Sequence, residues 1–319
     1  MKITRTTFLM GALGLGLASR VRAQSDIVYD LLPTGAPRDF ISGNGRITWG
    51  GTGAQLKRWE LGNGVTTYNI GVASNVTAGG ISRGAEAVAI DEYVWQESTG
   101  AVALSVPTGY GGVRAVAVSR NRNKVGGYVT QGTLHMPCLW ENGTPTLLGV
   151  LPEYQSGDVV DMSKDGTALT GVCVNQWNYQ AYYWTPTHME QVRLEGYWHT
   201  LPHAISDDGQ TVVGIAYTEN WSSLTAFVWR NGIEGASVGA GAVTAVDVSE
   251  DGQVIVGHGS PGAYFWNVSL GVTGLENYLV EQGVGLKDSD IHEITRVSAD
   301  GTTIIGRAVK DGASRTFRA

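Results

Sequence analysis

One short phrase recurs along the chain and limits what the chain can fold into. "HAISDDGQTVVG" (His203 to Gly214) returns as "VDVSEDGQVIVG" (Val246 to Gly257) and "TRVSADGTTIIG" (Thr295 to Gly306). Each reads as strand, tight turn, strand. Anchored on its serine, the phrase has seven copies, at Ser42, Ser82, Ser119, Ser163, Ser206, Ser249 and Ser298, spaced by 40, 37, 44, 43, 43 and 49 residues. Two positions on stand Asn44, Gly84, Asn121, Asp165, Asp208, Asp251 and Asp300. In most copies glycine follows, and Asp-Gly or Asn-Gly suits a hairpin turn because positive φ is cheap there. Eight positions after the serine every copy has glycine except the second, which has Ile90.

Each copy then runs through apolar or alternating residues to an aromatic: Trp59, Trp95, Trp140, Trp184, Trp229, Trp266 and, last, Phe317. A short turn follows, often Asn-Gly, and then another strand-like run. The unit is therefore four strands: A before the serine, B across the glycine, C ending at the aromatic, D after it. Four-stranded units of this length are the sequence signature of β-propeller blades. The expected fold is all-β, a seven-bladed propeller of antiparallel blades. The 45 glycines and only 16% charged residues agree with many turns and short strands.

Ring closure can be read separately. The seventh copy stops at strand C, in "SRTFRA", while the chain enters its first copy through "DIVYDLLPTGAPRDFIS". That passage matches "LLGVLPEYQSGDVVDMS", a strand D leading into a strand A. The N-terminal strand, about residues 27–32, is predicted to complete the last blade beside Phe317, which hides two open edges at once. No linker interrupts the repeats, so residues 24–319 read as one propeller domain.

These copies resemble the bacterial extracellular HAF-repeat family, named for a His-Ala-Phe before the tryptophan. The shared elements are the Ser-x-Asp-Gly turn, the later glycine and the apolar run into Trp. The triplet itself is altered to "QAY" (Gln180 to Tyr182), "TAF" (Thr225 to Phe227) and "GAY" (Gly262 to Tyr264), with the His absent from all three. The resemblance implies an exported propeller-like protein and implies no reaction. Export has its own signal. Lys2 and Arg5 precede the apolar "FLMGALGLGLA", too short to span a bilayer, and "VRA" ends at Ala23 as a cleavage site. A signal peptide over residues 1–23 and a secreted or periplasmic protein are expected, by Sec or twin-arginine export. Its removal leaves 18 basic against 29 acidic residues, a net charge of −11. Such a charge argues against a nucleic-acid partner, which needs a basic face.

Repeated residues build the scaffold, so function is sought where the copies differ. Strand direction reverses at every turn. The A–B and C–D turns therefore share one face, and the B–C loops and D–A connections share the other. The second face collects "NQWNYQ", "YTENWSS" and "EGYWHTLPH". Trp177, Tyr179, Trp198 and Trp221 are the candidate ligand-binding residues. Aromatic platforms among amides suit sugar rings, whose C–H faces are apolar and whose hydroxyls need partners. Weaker catalytic candidates are His199, His203, His258 and Tyr197 as acid or base, with Arg114 and Arg307 as partners for a uronate carboxylate.

The leading expectation is a non-enzymatic binding or scaffold protein for a polysaccharide or cell-surface glycan. The alternative is a polysaccharide lyase or glycoside hydrolase acting on the same face. The Ser-x-Asp-Gly phrase is not a sialidase Asp box, whose glycine lies one place further on, and it does not complete an EF-hand loop. No metal site or cofactor is read, and no later apolar run is long enough to span a membrane. Cys138 and Cys173 lie in no Cys/His cluster; they are either one disulfide or two small buried side chains. "TGLENYLVEQG" (Thr273 to Gly283) reads as a short amphipathic helix and accounts for the longest repeat spacing.

Overall fold

Each repeat unit folds into one four-stranded antiparallel blade, blade 2 gaining a short fifth strand, Thr52–Gly53, from the first repeat, and seven blades close a ring. The computed structural model describes residues 27–319 apart from 54, 72–75, 83, 85, 177 and 261. The expected signal peptide and Trp177 therefore lie outside the described residues. In blade 4 the strands A to D are Ser156–Met162, Leu169–Asn175, Asn178–Thr185 and His188–Gln191. In blade 5 they are His199–Ile205, Thr211–Tyr217, Leu224–Arg230 and Ile233–Ser237. Blade 7 takes Asp290–Val297, Ile304–Lys310 and Ala313–Arg318 from the C-terminus and Asp30–Leu31 from the N-terminus. Leu31 pairs antiparallel with Phe317 and Asp30 with Arg318. Tyr29 stacks on Phe317 at 5.7 Å, and its hydroxyl meets Ser289 at 2.8 Å. The predicted closure is thus held by a strand pair and by aromatic packing.

The serine of the phrase is a staple across the A–B turn. In all seven copies its Oγ accepts the backbone N–H five residues on, as Ser206 does from Thr211 at 2.9 Å. In six copies it also donates to the Asn or Asp two residues on; copy two has Gly84 there and lacks this bond. In five of these the same side-chain oxygen in turn accepts a turn N–H, as Asp208 does from Gln210. Gly209 follows at φ +72°, where a side chain would be strained. The later glycine has a different reason. Strand A carries a one-residue bulge, at His203 in blade 5, and Gly214 of strand B lies opposite. A methyl on Gly214 would overlap the carbonyl of Leu201 and press on Phe227.

Neighbouring blades are laced together at the inner strands. The carboxylate of Asp161 accepts the N–H of Ile205 at 3.0 Å, and that of Asp247 accepts the N–H of Val297 at 2.9 Å. The remaining attraction between blades is apolar. Tyr183, Phe227, Trp229 and Val212 form one buried cluster between blades 4 and 5. Trp59, Trp95, Trp140 and Trp229 are buried as the repeat predicts. Trp184 is only half-buried, because it packs on the Leu139, Met162 and Leu169 cluster with part of the ring left in solvent.

The helix forms over Leu275–Glu281, burying Leu275 and Leu279, with Tyr278 edge-on to Phe265 at 5.1 Å. Cys138 and Cys173 are both free and buried, in separate clusters. Burial pushes their thiols up to about 12 and about 11. Among the described residues no helix is long and apolar enough to cross a membrane.

Candidate functional site

The strand order brings three connections to one rim of blades 4 and 5: the loop before Asn178, the passage Leu194–Trp198, and the loop Thr218–Ser223. The last is fixed by its own polar residues. Thr218 Oγ1 accepts the N–H of Ser223 at 3.1 Å, Asn220 Oδ1 accepts the Ser222 hydroxyl at 2.6 Å, and the N–H of Trp221 bonds Thr218 O at 2.9 Å. This stapling holds Trp221 at φ +60°. A left-handed conformation is disfavoured for an L-residue by roughly 1–2 kcal/mol. Glu153 (φ +72°) and Gln176 (φ +51°) stand in the same region in adjacent loops.

Trp221 is the hub of an aromatic group. It stacks on His199 at 4.2 Å and 20°, meets Tyr217 at 4.8 Å, and takes Tyr179 edge-on at 5.9 Å and 81°. His199 is the first residue of its strand, and its ring turns into the blade interface, 3% exposed. The Tyr179 N–H donates to His199 Nδ1 at 3.4 Å, so the ring proton is assigned to Nε2. Nε2 is buried and has no partner, and the same holds for Asn178 Oδ1. Both residues line an open pocket of about 370 Å³, with Trp198, Trp221, Glu219 and Gln176 among its walls. Trp198 and Trp221 keep 54% and 44% of their surface in solvent, the behaviour of platforms rather than of core residues. Tyr179 is half-buried and supports Trp221 from the side.

The other candidates do not join this group. His203 is the extra residue of the strand A bulge, which turns it into the central channel. There it bonds Ala245 O at 2.7 Å while keeping contact with solvent, and desolvation within the channel lowers its pKa despite that bond. His258 bonds Ile294 O of the next blade at 3.0 Å, and burial lowers its pKa as well. Tyr197 packs against the blade 4–5 cluster. Arg307 faces Glu293 at 3.3 Å in blade 7, and Arg114 faces Asp91 at 3.9 Å beside blade 3. Of the catalytic candidates, His199 alone lines the aromatic pocket; His203, His258, Tyr197, Arg114 and Arg307 lie apart from it.

A second polar group on the same face escaped the sequence reading. His135, at the start of strand C in blade 3, bonds Asp158 of blade 4 through Nδ1 at 2.7 Å and stacks flat on Tyr128 at 4.3 Å and 10°. Burial raises the Asp158 carboxyl, with His135 and Arg114 pulling the other way. Burial also raises the Tyr128 phenol. A carboxylate on Nδ1 orients an imidazole for proton transfer at Nε2. The available signal was that both residues sit at the same-face ends of strands in neighbouring blades.

The central channel encloses about 70 Å³, with room for a few waters and no larger guest. A cleft of about 530 Å³ opens between blades 1 and 2 on the opposite face, beside Trp49, Trp95, Arg58 and Arg122. Among the described residues no group of His, Cys, Asp and Glu is placed to hold a metal ion.

No family model matches the chain, and no curated protein matches it by sequence. Solved structures do match in shape. An oligogalacturonate lyase from Vibrio parahaemolyticus aligns with a TM-score of 0.58 at 10% identity, over 92% of this chain and 90% of the lyase. The Swd1 β-propeller domain of Myceliophteria thermophila gives 0.56 at 11%, over 90% and 98%. TolB from Acinetobacter baumannii gives 0.50 at 12%, over 89% of this chain and 65% of TolB. Identities this low establish the propeller fold. The differing names of the three proteins show that the ring does not dictate what it is used for.

Proposed function

We propose that this is an exported, non-catalytic propeller that binds a glycan in the Trp198–Trp221 pocket, on the rim of blades 4 and 5. One observation carries the reading: two exposed tryptophans flank a pocket in which the buried His199 Nε2 and Asn178 Oδ1 are left without partners. Both atoms are closed to solvent in the free protein, so a small shift of the side chains over them is needed before ligand hydroxyls pair them and recover the roughly 1–3 kcal/mol that an unpaired buried polar atom costs. The tryptophan faces supply the apolar half of sugar recognition. Export rests on the basic and apolar N-terminus, and the HAF-repeat assignment on the Ser-x-Asp-Gly phrase.

The second reading, a carbohydrate-active enzyme on the same face, is favoured by the His135–Asp158 pair beside Tyr128 and Arg114. One experiment separates the two. Purified protein is incubated with a panel of polysaccharides, and both retention and new reducing or unsaturated ends are measured. Retention without new ends supports the binding reading. New ends that disappear in His135→Ala support the enzyme.

A further inference from the structure

The pocket's hydrogen-bonding inventory narrows the glycan. Several of its polar atoms are already engaged within the protein. Asn175 Nδ2 donates to Glu153 O at 2.6 Å, Asn178 Nδ2 to the Tyr154 hydroxyl at 3.0 Å, and His199 Nδ1 accepts from Tyr179. What remains unpaired is one donor, His199 Nε2–H, and one acceptor, Asn178 Oδ1. A hydroxyl both donates and accepts, so sugar hydroxyls suit either atom once a side-chain shift opens it to the pocket. An ionised carboxylate only accepts. It would satisfy His199, leave Asn178 Oδ1 bare, and stand in the field of Glu219, the one charged residue of the pocket wall among the described residues.

No arginine or lysine among the described residues lines the pocket to offset that repulsion. Arg193 acts on the Tyr154 phenol and is not part of the wall. Arg114 and Arg307 are held by Asp91 and Glu293 elsewhere on the ring. We infer that the pocket selects uncharged sugar rings and discriminates against uronates. This inference rests on the glycan-binding reading and adds the class of sugar.

The test titrates the protein with neutral hexamers (cellohexaose, maltohexaose, mannohexaose) and with hexagalacturonate, by calorimetry and tryptophan fluorescence. At least one neutral hexamer is expected to bind, with hexagalacturonate at least tenfold weaker. Glu219→Gln should narrow that gap. His199→Phe keeps an aromatic ring under Trp221 and removes the donor, so neutral affinity should fall tenfold or more at an unchanged melting temperature. Asn178→Ala, which leaves the stack alone, serves the same purpose should His199→Phe misfold. Hexagalacturonate binding as tightly as the neutral hexamers, or an unchanged gap in Glu219→Gln, overturns the inference while the glycan reading stands. Binding of neither series removes the glycan reading and the inference with it.

Discussion

The repeat serine offers the cleanest test of how the blades are built. Ser206 is fully buried; its Oγ accepts the Thr211 N–H at 2.9 Å and donates to Asp208 at 2.5 Å. Ser206→Ala leaves the Thr211 N–H, on a residue 2% exposed, without that partner. A buried donor stripped of its acceptor costs about 1–3 kcal/mol. Asp208 is exposed, so water replaces its lost bond at little cost. The sum is about 1–3 kcal/mol. Unfolding entropy of about 2.1 cal/mol/K per residue, over roughly 290 folded residues, converts this to a melting shift of about 2–5 °C. Calorimetry of Ser206→Ala and Asp208→Ala at one scan rate measures both. Asp208→Ala should shift the transition clearly less. If it costs as much as Ser206→Ala, or if Ser206→Ala shifts melting by less than about 1 °C, the staple is not what holds the turn.

Three further outcomes follow from burial. Tyr29→Ala removes the ring stacked on Phe317 and should destabilise by about 3–5 kcal/mol, the range for a buried large aromatic; a change under about 1 kcal/mol in denaturant unfolding would contradict closure by the N-terminal strand. Desolvation holds the channel-facing His203 and the half-buried His258 imidazoles below the ordinary value of 6.5. Depressed folded values mean that the unfolded chain binds these protons first, so their stability is intact above about pH 6.5 and lost as pH falls below it. Melting temperature should therefore drop from pH 7.5 to pH 5, and less steeply in His258→Gln; an equal slope in the variant refutes the assignment. With thiols raised to about 12 and about 11 by burial, Cys138 and Cys173 should resist a thiol reagent at pH 8 until the protein is unfolded. Rapid labelling of the native protein would show that one of them is open.

The blade count and the ring closure were legible because every copy must solve the same turn. A buried serine paired to a backbone N–H leaves a trace wherever it recurs, and the surplus strand D at the N-terminus answers the missing one after Phe317. The later glycine was visible as a pattern, but its cause was not. Gly214 is required by a bulge on the strand it faces, which no local pattern reveals. His203 was misplaced because the connection into strand A was read as reaching it; the strand begins at His199, and the bulge turns His203 into the channel. The aromatic rim was half legible. Loop position put Trp198 and Trp221 on the right face, yet the stack of Trp221 on His199 needs a positive φ that the loop's Thr218 and Asn220 enforce. The His135–Asp158 pair was missed because its members come from different blades, and partners across a blade interface carry no spacing rule.

The central claim is that the exposed tryptophans form the site and the repeat residues form the scaffold. It is tested most directly by the double variant Trp198→Ala with Trp221→Ala, titrated by calorimetry against whichever polysaccharide the native protein retains. Each ring stacked on a sugar is expected to contribute on the order of 0.5–1.5 kcal/mol, by analogy with aromatic pairs. The account predicts a loss of affinity of about tenfold or more, with a melting temperature within about 2 °C of the native protein. Undiminished binding, or a variant that no longer folds, would show that these two tryptophans belong to the scaffold.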